Sequence, residues 1–573
     1  MTESYRKTAF RNGYEFAQGS AYALPEYPFV EPSEITRGEV SHHPIVIVGG
    51  GLTGLTMACS LARYGVPAVL LDEDNTVGVK GASSRGICYT QKSLEIFQRL
   101  GIYDRIAAKG VEWSVGRTFA GTDEVCSFDL RKQSAYNLSS QPPFINIQQF
   151  YVEGFLVERI QELGHIDLRW CSQVTGFEQN NECATLTVQT PAGEYRMRAD
   201  HVIDATGGHS PFRKWVGACV TSRRGDDRWC IADVRFGSQR PNAAERHTWI
   251  EAPFNENRAV WQHPMGDDVW RIDYQMTPDS DPEHVSREDV VRERLARHFG
   301  ERAELHMVWV GPYAYRSECI DQMRHGRVFF MGDAAKVVSP FGARGGNTGV
   351  SDADNLAWKL AAVMKGRAAM ALLDSYHEER HDAAQQNVKV ANRTARFLRP
   401  ASPMEKTFRD AAIGLARQYV FARQLINTGR MAIANPYPRS SACEATGGQS
   451  VQNVSFLWAD RSRGTVNDLL QWAGGRLLLL LFGDASPQCL ERLRALGETA
   501  PVRSVHVLGA EDVADAIEHV RDPEGHLQGA CHVFGHAWAL VRPDSYVAAT
   551  GESVDTTLVH AIAKAIGAQG ESA

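Results

Sequence analysis

The chain has 573 residues, of which 43% are hydrophobic and 23% are charged, and these fractions exclude a disordered, collagen-like or coiled-coil protein. Lys and Arg together number 61 against 68 for Asp and Glu, so the net charge is -7. Because that charge is mildly acidic and forms no block of one sign, it argues against a nucleic-acid-binding protein.

The apolar runs and the cysteines indicate the cellular setting. Residues 477–482 form an apolar run that is far shorter than the roughly 20 residues of a membrane-spanning helix. The polar N-terminus lacks the apolar segment of a signal peptide. The eleven cysteines are scattered and include no CxxC pair, which argues against a disulfide scaffold or a zinc site. We therefore expect a cytoplasmic protein that binds no metal.

The first third of the chain predicts an irregular extension followed by a β-α-β unit. Residues 1–42 contain prolines at 25, 28 and 32, and we expect them to lie on the surface or on a partner subunit. The short apolar runs 45–48 and 68–71 predict buried parallel strands. Residues 52–64 between them predict an amphipathic helix.

The middle of the chain changes character. Between about 220 and 320, five tryptophans fall among alternating polar and apolar residues, which predicts an antiparallel sheet inserted into the nucleotide-type domain. Nucleotide-type motifs return at 327–366, and 370–435 predicts helix.

A second α/β unit begins near residue 445. The pattern predicts strands, helices and a final hairpin at 476–482, 487–497, 504–508, 511–520, 537–541 and 546–549. This order suits a thioredoxin-like domain. Because the CxxC pair of the redox-active members is absent, we expect a structural or dimerisation module.

A GxGxxG motif follows the first predicted strand. Gly49 permits the tight turn, Gly51 lets the backbone approach a pyrophosphate at the helix N-terminus, and Gly54 lets the helix pack on the strand. Asp72 ends the second strand, where a carboxylate can hold the adenosine ribose. This motif alone does not distinguish NAD from FAD.

A second motif distinguishes the two cofactors. Residues 326–335 read GRVFFMGDAA, residues 339–349 read SPFGARGGNTG, and a predicted helix follows at 351–365. Here the chain resembles the class A flavoprotein monooxygenases of the para-hydroxybenzoate hydroxylase type. It looks most like their phenol hydroxylase-like branch, which carries a C-terminal thioredoxin-like domain. The resemblance extends from about residue 43 to the end of the chain.

The resemblance implies an α/β fold: a Rossmann-like FAD-binding domain, an inserted antiparallel-sheet substrate domain and a C-terminal thioredoxin-like α/β domain. The implied parts are an extension (1–42), a discontinuous FAD-binding domain (43–220 and 320–400), a substrate-binding sheet (221–319), a helical connection (401–444) and a thioredoxin-like domain without CxxC (445–573).

The resemblance also implies a set of FAD-binding residues. In the family, the aspartate at the position of Asp333 bonds to the ribityl chain, and the glycine-rich turn presents backbone N–H groups to the isoalloxazine edge. Arg85 aligns near the phosphates and Gln149 on the ribityl side. The full set of cofactor-binding candidates is Gly49, Gly51, Leu52, Thr53, Gly54, Asp72, Glu73, Arg85, Gln149, Val174, Thr206, Gly207, Gly332, Asp333, Pro340, Gly345, Gly346 and Asn347.

Three positions depart from the family pattern, and the one at Asp72, where glutamate is commoner, is conservative. Thr206 stands where the family has an aspartate before Gly207, in a motif that serves both FAD and the nicotinamide cofactor. Threonine can donate a hydrogen bond but carries no charge, so the mode of NAD(P)H binding stays open. Lys336 stands where a histidine is usual.

The family mechanism requires a base in the inserted sheet that removes the phenol proton. The candidates by position are His263, Arg271, Tyr274 and Arg316. With an ordinary pKa near 6.5, His263 would act as a base only when neutral, so we expect oxygen transfer to weaken below about pH 6.

The implied activity is hydroxylation of a phenolic ring. NAD(P)H, as NADPH or NADH, reduces bound FAD, and dioxygen then forms a flavin C4a-hydroperoxide whose terminal oxygen is transferred to the ring. The expected partners are a small aromatic substrate and a second copy of the chain in a homodimer, with no nucleic acid and no membrane. Two alternatives remain open: a flavin oxidase or dehydrogenase on the same fold, and a flavin-binding protein without turnover.

Overall fold

The computed structural model describes residues 6–7, 14–15, 24–78, 86–237, 244–428, 430–482, 487–509, 518–533 and 535–568. The predicted phosphate-side residue Arg85 lies outside these ranges, as does most of the predicted helix at 511–520. Within these ranges, no helix has both the length and the apolar character needed to cross a membrane.

The nucleotide-type sheet contains eight of the described strands. In spatial order they are Ile166–Arg169, Ala68–Leu71, Ser41–Val48, Gly193–Asp204, Ala184–Thr190 and Gln173–Gln179, with Val328–Phe330 and Arg324–His325 added beside the fourth. The central pairs are parallel. Because both faces of this central part are covered by helices, its strands are continuous apolar runs such as the predicted 45–48 and 68–71.

Helices cover the sheet and connect the domains. Those of the described residues are Ser33–Arg37, Leu52–Arg63, Gln91–Leu100, Tyr103–Lys109, Gln149–Leu163, Phe212–Trp215, Pro282–Val285, Glu288–Phe299, Gly345–Met364, Asp374–Leu398, Pro403–Gln418, Val466–Ala473, Pro487–Thr499, His526–Ala530 and Thr556–Ala565. The prediction of helix up to about 435 was wrong beyond 425, where a 3-10 turn ends, because Gly429, Pro436 and Pro438 interrupt the pattern.

The inserted sheet is larger than predicted. Its order is Arg6–Lys7, Tyr14–Glu15, Leu305–Ile320, Val220–Phe236, Val269–Gln275, Arg258–Pro264, Arg246–Ala252, Val115–Ala120 and Asp123–Asp129, with Lys336–Val337 beside Leu305–Ile320. The hairpin at 115–129 therefore pairs with this sheet, although the sequence boundary at 221 assigned it to the FAD-binding unit. No local pattern indicates this pairing, because the strand that the hairpin joins lies more than 100 residues later. Two short pieces of the predicted extension also join the edge of the sheet.

The C-terminal domain has its own sheet. Its order in the described residues is Arg463–Thr465, Ser455–Trp458, His519–Arg521, Val502–Leu508, Leu477–Phe482, Trp538–Val541 and Val547–Gly551. The predicted core strands and final hairpin are confirmed, while 519–521 is a strand and not the end of a helix. A separate small sheet of Cys88–Thr90, Phe144–Asn146 and Val111–Trp113 lies in the first domain.

A buried charge network joins the C-terminal domain to the first domain. Arg542, in the turn of the final hairpin, contacts both Glu379 and Asp544. Glu379 also accepts a hydrogen bond from Lys359 at 2.7 Å, and all four side chains are at most 1% exposed. Burial alone would raise the pKa of Glu379, but Arg542 and Lys359 hold it below its usual range. Since Lys359 lies on the helix Gly345–Met364, this ion network connects the C-terminal domain to that helix.

Candidate active site

The first glycine motif forms an open backbone cradle. A Cβ at Gly49, where φ is +107°, would lie 2.5 Å from the Ala205 carbonyl oxygen, and one at Gly54 would lie 1.9 Å from the Gly49 oxygen. Close backbone packing thus requires both glycines. At Gly51 the nearest atom to such a Cβ is Glu153 Oε1, 4.0 Å away. The space in front of Gly51, at the start of helix Leu52–Arg63, is therefore open to a ligand.

The acidic end of the second strand lies beside this cradle. Asp72 is half-buried and accepts a hydrogen bond from the Gly50 N–H. Glu73 is exposed and accepts one from Gln173 Nε2 at 3.3 Å, and the next residue, Val174, is buried. These predicted cofactor residues are thus grouped at one end of the sheet, where the parallel strands finish.

Glu153 is a site residue to which sequence reasoning assigned no role. Its Oε1 accepts the Leu52 N–H at 2.9 Å and Gln149 Nε2 at 2.8 Å, and its Oε2 accepts the Gly78 N–H at 2.7 Å. Gln149 Oε1 in turn accepts the Gly86 N–H at 2.9 Å. Burial raises the pKa of Glu153 to about 6. The signal in the sequence was its spacing of four residues from Gln149 on one helix face.

The second glycine motif packs against the first through Thr53. A Cβ at Gly332 or at Gly349 would lie 2.6 or 2.2 Å from Thr53 Oγ1, so the helices Leu52–Arg63 and Gly345–Met364 approach closely there. The Gly332 N–H donates to Asp352 Oδ2 at 3.0 Å. This close packing leaves the neighbouring Asp333 half-buried at the same end of the sheet.

Lys336 forms an ion pair that holds the glycine-rich helix. Its ammonium group pairs with Asp352, whose other oxygen accepts Arg380 Nε at 2.7 Å, and all three side chains are at most 1% exposed. A buried charge needs such partners. The departure at Lys336 is therefore explained by an ion cluster within the fold.

Asn347 ties the glycine-rich turn to the small sheet. Its Oδ1 accepts the Thr90 N–H at 3.0 Å, and its Nδ2 donates to the oxygens of Cys88 at 2.7 Å and Ala343 at 2.8 Å. These three bonds hold the first turn of helix Gly345–Met364 against the strand Cys88–Thr90.

The N-terminal end of that helix is accessible. Pro340 is exposed, and Gly345 and Gly346 are half-buried. A Cβ at Gly346 would lie 3.1 Å from Leu52 Cδ2, whereas one at Gly345 has no atom nearer than the Val338 oxygen at 4.0 Å. The backbone N–H groups of these glycines belong to the positive end of the helix dipole, so this turn suits an electron-rich ligand edge.

A carboxylate lies two residues before the anomalous threonine. The Thr206 N–H and hydroxyl donate to Asp204 Oδ1 at 3.0 and 2.7 Å, and the Ser210 hydroxyl also donates to Asp204. Asp204 is fully buried, and burial raises its pKa. The loop that includes Gly207, where φ is +87°, thus retains an acidic group beneath it.

Arg316 lies at this loop and not in the pocket that contains His263. Its Nη2 donates to the Gly208 oxygen at 3.1 Å, and its Nε lies 3.4 Å from Glu318 Oε1. Arg213 lies beside it and donates to the Asp333 oxygen at 2.9 Å. The structure therefore corrects the assignment of Arg316 to the phenol-binding group, because its guanidinium contacts the loop at Gly208 and the nearby Glu318.

One face of the inserted sheet carries a buried polar cluster. His263 is directly opposite Arg271 on the neighbouring strand. Arg271 makes two hydrogen bonds of 2.8 Å to Asp233. His263 Nε2 lies 3.8 Å from Asp273 Oδ2, and His263 Nδ1 lies 4.0 Å from Cys88 Sγ. Through Cys88, this cluster adjoins the glycine-rich turn held by Asn347.

Two groups of this cluster have strongly shifted pKa values. Burial, with Arg246 and Arg271 nearby, lowers the pKa of His263 well below 6.5. Burial raises the pKa of Asp273 to about 7, and its Oδ1 has no hydrogen-bond partner among the described residues. The expectation of a titration at pH 6 from His263 is therefore wrong, since this imidazole stays neutral there, and Asp273 is the group that titrates near neutrality.

Tyr274 lies on the opposite face of the sheet. Alternate residues of a strand point to opposite faces, and Tyr274 packs in the apolar cluster beneath the helix Glu288–Phe299. Its hydroxyl lies 3.1 Å from His298 Nδ1. The prediction of Tyr274 as a substrate residue is corrected, because an imperfect alternation in the sequence gave the wrong register.

An aromatic wall borders the polar cluster. The ring centres of Trp229 and Trp261 are 5.6 Å apart, Tyr315 is 5.6 Å from Trp229, and Phe341 is 5.0 Å from Trp261. The indole N–H groups of both tryptophans have no hydrogen-bond partner within the described part of the chain. Phe341 belongs to the glycine-rich turn, so this wall connects the inserted sheet to the nucleotide cradle.

Comparisons with known proteins agree with this geometry. A family model described as FAD binding domain matches residues 42–391. A 3-(3-hydroxy-phenyl)propionate/3-hydroxycinnamic acid hydroxylase of Burkholderia cenocepacia is 26% identical over 92% of this chain and 97% of its own length. A flavin-dependent monooxygenase of Mycobacteroides abscessus is 30% identical over 59% of this chain and 71% of its own. The crystal structure of the flavin-dependent monooxygenase PieE with FAD and substrate has a TM-score of 0.76 at 23% identity, covering 92% of this chain and 99% of that one.

Proposed function

We propose a reaction from the premise that this chain belongs to the FAD binding domain family and is a class A flavoprotein monooxygenase. It is an FAD-dependent aromatic hydroxylase. Its substrate is a small phenol, its reductant is NAD(P)H, and one atom of dioxygen enters the ring. The observation that supports this reaction best is the position of the buried polar and aromatic side chains of the inserted sheet, which adjoin the glycine-rich turn through Cys88 and Phe341.

The residues of the cradle fit FAD. The open backbone at Gly51 and the N-terminus of its helix suit the pyrophosphate, and Asp72 suits the adenosine ribose. The half-buried Asp333 suits the ribityl chain, and the N–H groups at Gly345 and Gly346 suit the edge of the isoalloxazine. Bound FAD would supply electron acceptance and oxygen activation.

The protein supplies orientation and exclusion of water. Trp229, Trp261, Tyr315 and Phe341 are at most 4% exposed and pack together in one apolar cluster. In this proposal the planar substrate ring binds against that cluster, which would position it by stacking and edge contacts. Exclusion of water from the bound ring would strengthen the electrostatic interactions around it and suppress side reactions.

Asp273 is the proton acceptor in this proposal. Its Oδ1, which has no hydrogen-bond partner among the described residues, belongs to the sheet face that carries Trp261 and His263, and a carboxylate with a pKa of about 7 is matched to a base working at neutral pH. The phenol O–H bond breaks, its proton goes to Asp273, and the electron pair stays on the substrate oxygen, which makes the ring more electron-rich. His263 stays neutral beside Asp273, and the Arg271–Asp233 pair fixes the sheet face.

The loop at 204–210 is the proposed place of contact with NAD(P)H. Its acidic group is Asp204, held by Thr206 and Ser210, so the carboxyl group absent at Thr206 is present two residues earlier. Arg213 and Arg316 lie beside this loop and suit the phosphates of the cofactor. The homodimer and the cytoplasmic location stay predictions; the free cysteines of the described residues support a reducing compartment.

Anaerobic reduction separates this function from its two rivals. We expect the purified protein to carry FAD, and NADH or NADPH to reduce it faster when 3-(3-hydroxyphenyl)propionate is present. On admitting oxygen, a hydroxylated product should form. Reoxidation that yields only hydrogen peroxide with every phenol tried would favour an oxidase, and FAD that NAD(P)H never reduces would favour a binding protein.

A further inference from the structure

The helix Pro403–Gln418 is apolar on two faces. Its inner face packs on the inserted sheet, where Ile413 and Ala416 lie in one apolar cluster with Ile250. Its outer face carries a second apolar stripe, spaced by three and four residues so that its side chains lie on one side of the helix. The members of this outer stripe, all exposed, are Met404, Phe408, Ala411 and Leu415. A helix that is apolar all round is normally buried, so the outer stripe has the composition of a face that packs against a partner.

The exposed apolar surface continues into the turn that follows the helix. The Tyr419 N–H donates to the Leu415 oxygen at 2.8 Å, and the Tyr419 ring centre lies 5.9 Å from that of Phe421. The six large side chains of this surface, which we call the outer patch, are Met404, Phe408, Leu415, Tyr419, Val420 and Phe421. They are between 42% and 81% exposed. Exposed apolar patches of this kind on a folded protein mark interaction sites.

The area of the outer patch matches one half of a protein–protein interface. At about 200 Å² for a large side chain, the exposed fractions of these six side chains amount to roughly 750 Å². A stable interface of standard size buries about 800 Å² on each partner. Methionine and aromatic side chains, which make up four of the six, are enriched at the centres of such interfaces. The outer patch is therefore large enough for a dimer contact.

The charges of the helix favour a protein partner over a lipid surface. A helix that lies on a membrane has a strongly basic polar face, whereas Pro403–Gln418 carries both signs. Its charged side chains are paired within the chain, and the pairs are Lys406–Asp410, Glu405–Arg396, Arg409–Glu251 and Arg417–Asp123. Because the outer stripe itself is uncharged, this face does not favour a strongly acidic or basic partner.

The outer stripe is complementary to a copy of itself. A two-fold dimer brings the same surface of both subunits together. If two antiparallel stripes meet at Ala411, Phe408 of one subunit lies against the partner's Leu415, since these residues are three before and four after Ala411. The small side chain of Ala411 at the centre lets the two helices approach closely.

We propose that the outer patch is the contact between two copies of this chain in a two-fold dimer. A homodimer is already expected, and this proposal assigns the surface that forms it. The proposal goes beyond the proposed function and does not depend on it, because the outer stripe lies on a different face of the helix from the residues that pack on Ile250.

The first test measures the mass of the full-length, FAD-loaded protein by sedimentation. At about 10 μM, where an interface of this size is commonly occupied, we expect wild type to have twice the 63.4 kDa mass of the chain. Phe408→Lys places two ammonium groups near the two-fold axis, and this like-charge contact should weaken dimerisation by about tenfold or more. The matched control is Val559→Lys, a change at an exposed apolar residue of the C-terminal domain, which should leave the dimer as it is in wild type. Wild type that stays monomeric, or a dimer that Phe408→Lys leaves intact, would overturn the proposal.

A cross-link locates the axis and decides the matter even if Phe408→Lys does not fold. Ala411→Cys is a small change at an exposed position, and oxidation by copper phenanthroline should join two such cysteines into a covalent dimer. The control is Lys406→Cys, five residues earlier and so on another side of the helix, which should cross-link no more than wild type with its exposed Cys219. No cross-link in Ala411→Cys, or equal cross-linking in both variants, would contradict the proposal.

Vesicles test a lipid as the other occupant of the outer patch. We expect neither wild type nor Phe408→Lys to float with vesicles of phosphatidylglycerol and phosphatidylcholine. Flotation of wild type that Phe408→Lys abolishes would assign the outer patch to a membrane surface and overturn the proposal.

The failure of this inference is distinguishable from failure of the hydroxylase function. Hydroxylated product from a monomeric protein would remove the dimer contact and leave the hydroxylase. A dimer that Phe408→Lys dissociates, but that forms no oxygenated product, would remove the hydroxylase and leave the dimer contact.

Discussion

The change Asp273→Asn tests the proton acceptor through both stability and turnover. Asp273 is buried, and its pKa is raised from 3.8 to about 7 by desolvation. A carboxyl whose pKa is higher in the folded state than in the unfolded state destabilises the fold when it is ionised. This loss of folding free energy grows as the pH rises above the pKa that the carboxyl has in the unfolded state. The asparagine side chain has nearly the same shape and no charge to desolvate.

The size of this destabilisation follows from the pKa shift of Asp273. Three pKa units correspond to about 4 kcal/mol at pH 8, where the carboxylate is ionised in both states, and to about 2 kcal/mol at pH 5, where the folded carboxyl is protonated. We therefore expect the stability of Asp273→Asn relative to wild type to improve by about 2–3 kcal/mol from pH 5 to pH 8. The product formed per NAD(P)H should change in the opposite sense. In wild type it should rise as the pH rises through 7, and in the variant it should stay low throughout.

The assays are urea unfolding of the FAD-bound protein at pH 5 and pH 8, and the ratio of product to NAD(P)H consumed between pH 6 and pH 8. Asp279→Asn is the control, because Asp279 is exposed in a loop of the same domain, and it should match wild type in both. A variant that loses stability equally at both pH values, or that retains the wild-type coupling profile, would refute the reasoning.

Three further variants test other parts of the structure. His263→Ala should lower product per NAD(P)H by an amount that does not change between pH 6 and 8, since the imidazole is neutral there; a loss confined to the acid side would show that it titrates after all. Gly54→Val should abolish FAD binding, because a Cβ would lie 1.9 Å from the Gly49 oxygen. In the control Gly154→Ala the added Cβ meets nothing within 4 Å, so this variant should keep its bound FAD and its yellow colour. Arg542→Met should destabilise the protein by about 3–5 kcal/mol in urea unfolding because it leaves buried carboxylates unpaired; a change below about 1 kcal/mol would show that the network is not needed.

The nucleotide cradle could be predicted because its constraints are local. A strand, a glycine turn and a helix follow one another in the chain, and each glycine is required by a backbone contact such as that between Gly54 and Gly49. The thioredoxin-like strands were equally readable, since 477–482 is a continuous apolar run buried on both faces. In both cases, the pattern and the packing that requires it lie within a few residues.

The substrate pocket could not be predicted in the same way. Its residues come from strands whose neighbours are set by long-range pairing, and a one-residue error in register moves a side chain to the other face. That error placed Tyr274 in the substrate group and left Asp273, the preceding residue, unnoticed.

The central claim is that the protein inserts one atom of dioxygen into a phenolic ring. The most direct measurement is mass spectrometry of the product formed from 3-(3-hydroxyphenyl)propionate, NAD(P)H and oxygen-18 gas by the FAD-loaded enzyme. We expect a hydroxylated product that carries one oxygen-18 atom when the gas is labelled. The product should carry no oxygen-18 when only the water is labelled. Unchanged substrate with labelled hydrogen peroxide, or label that comes from water, would contradict it.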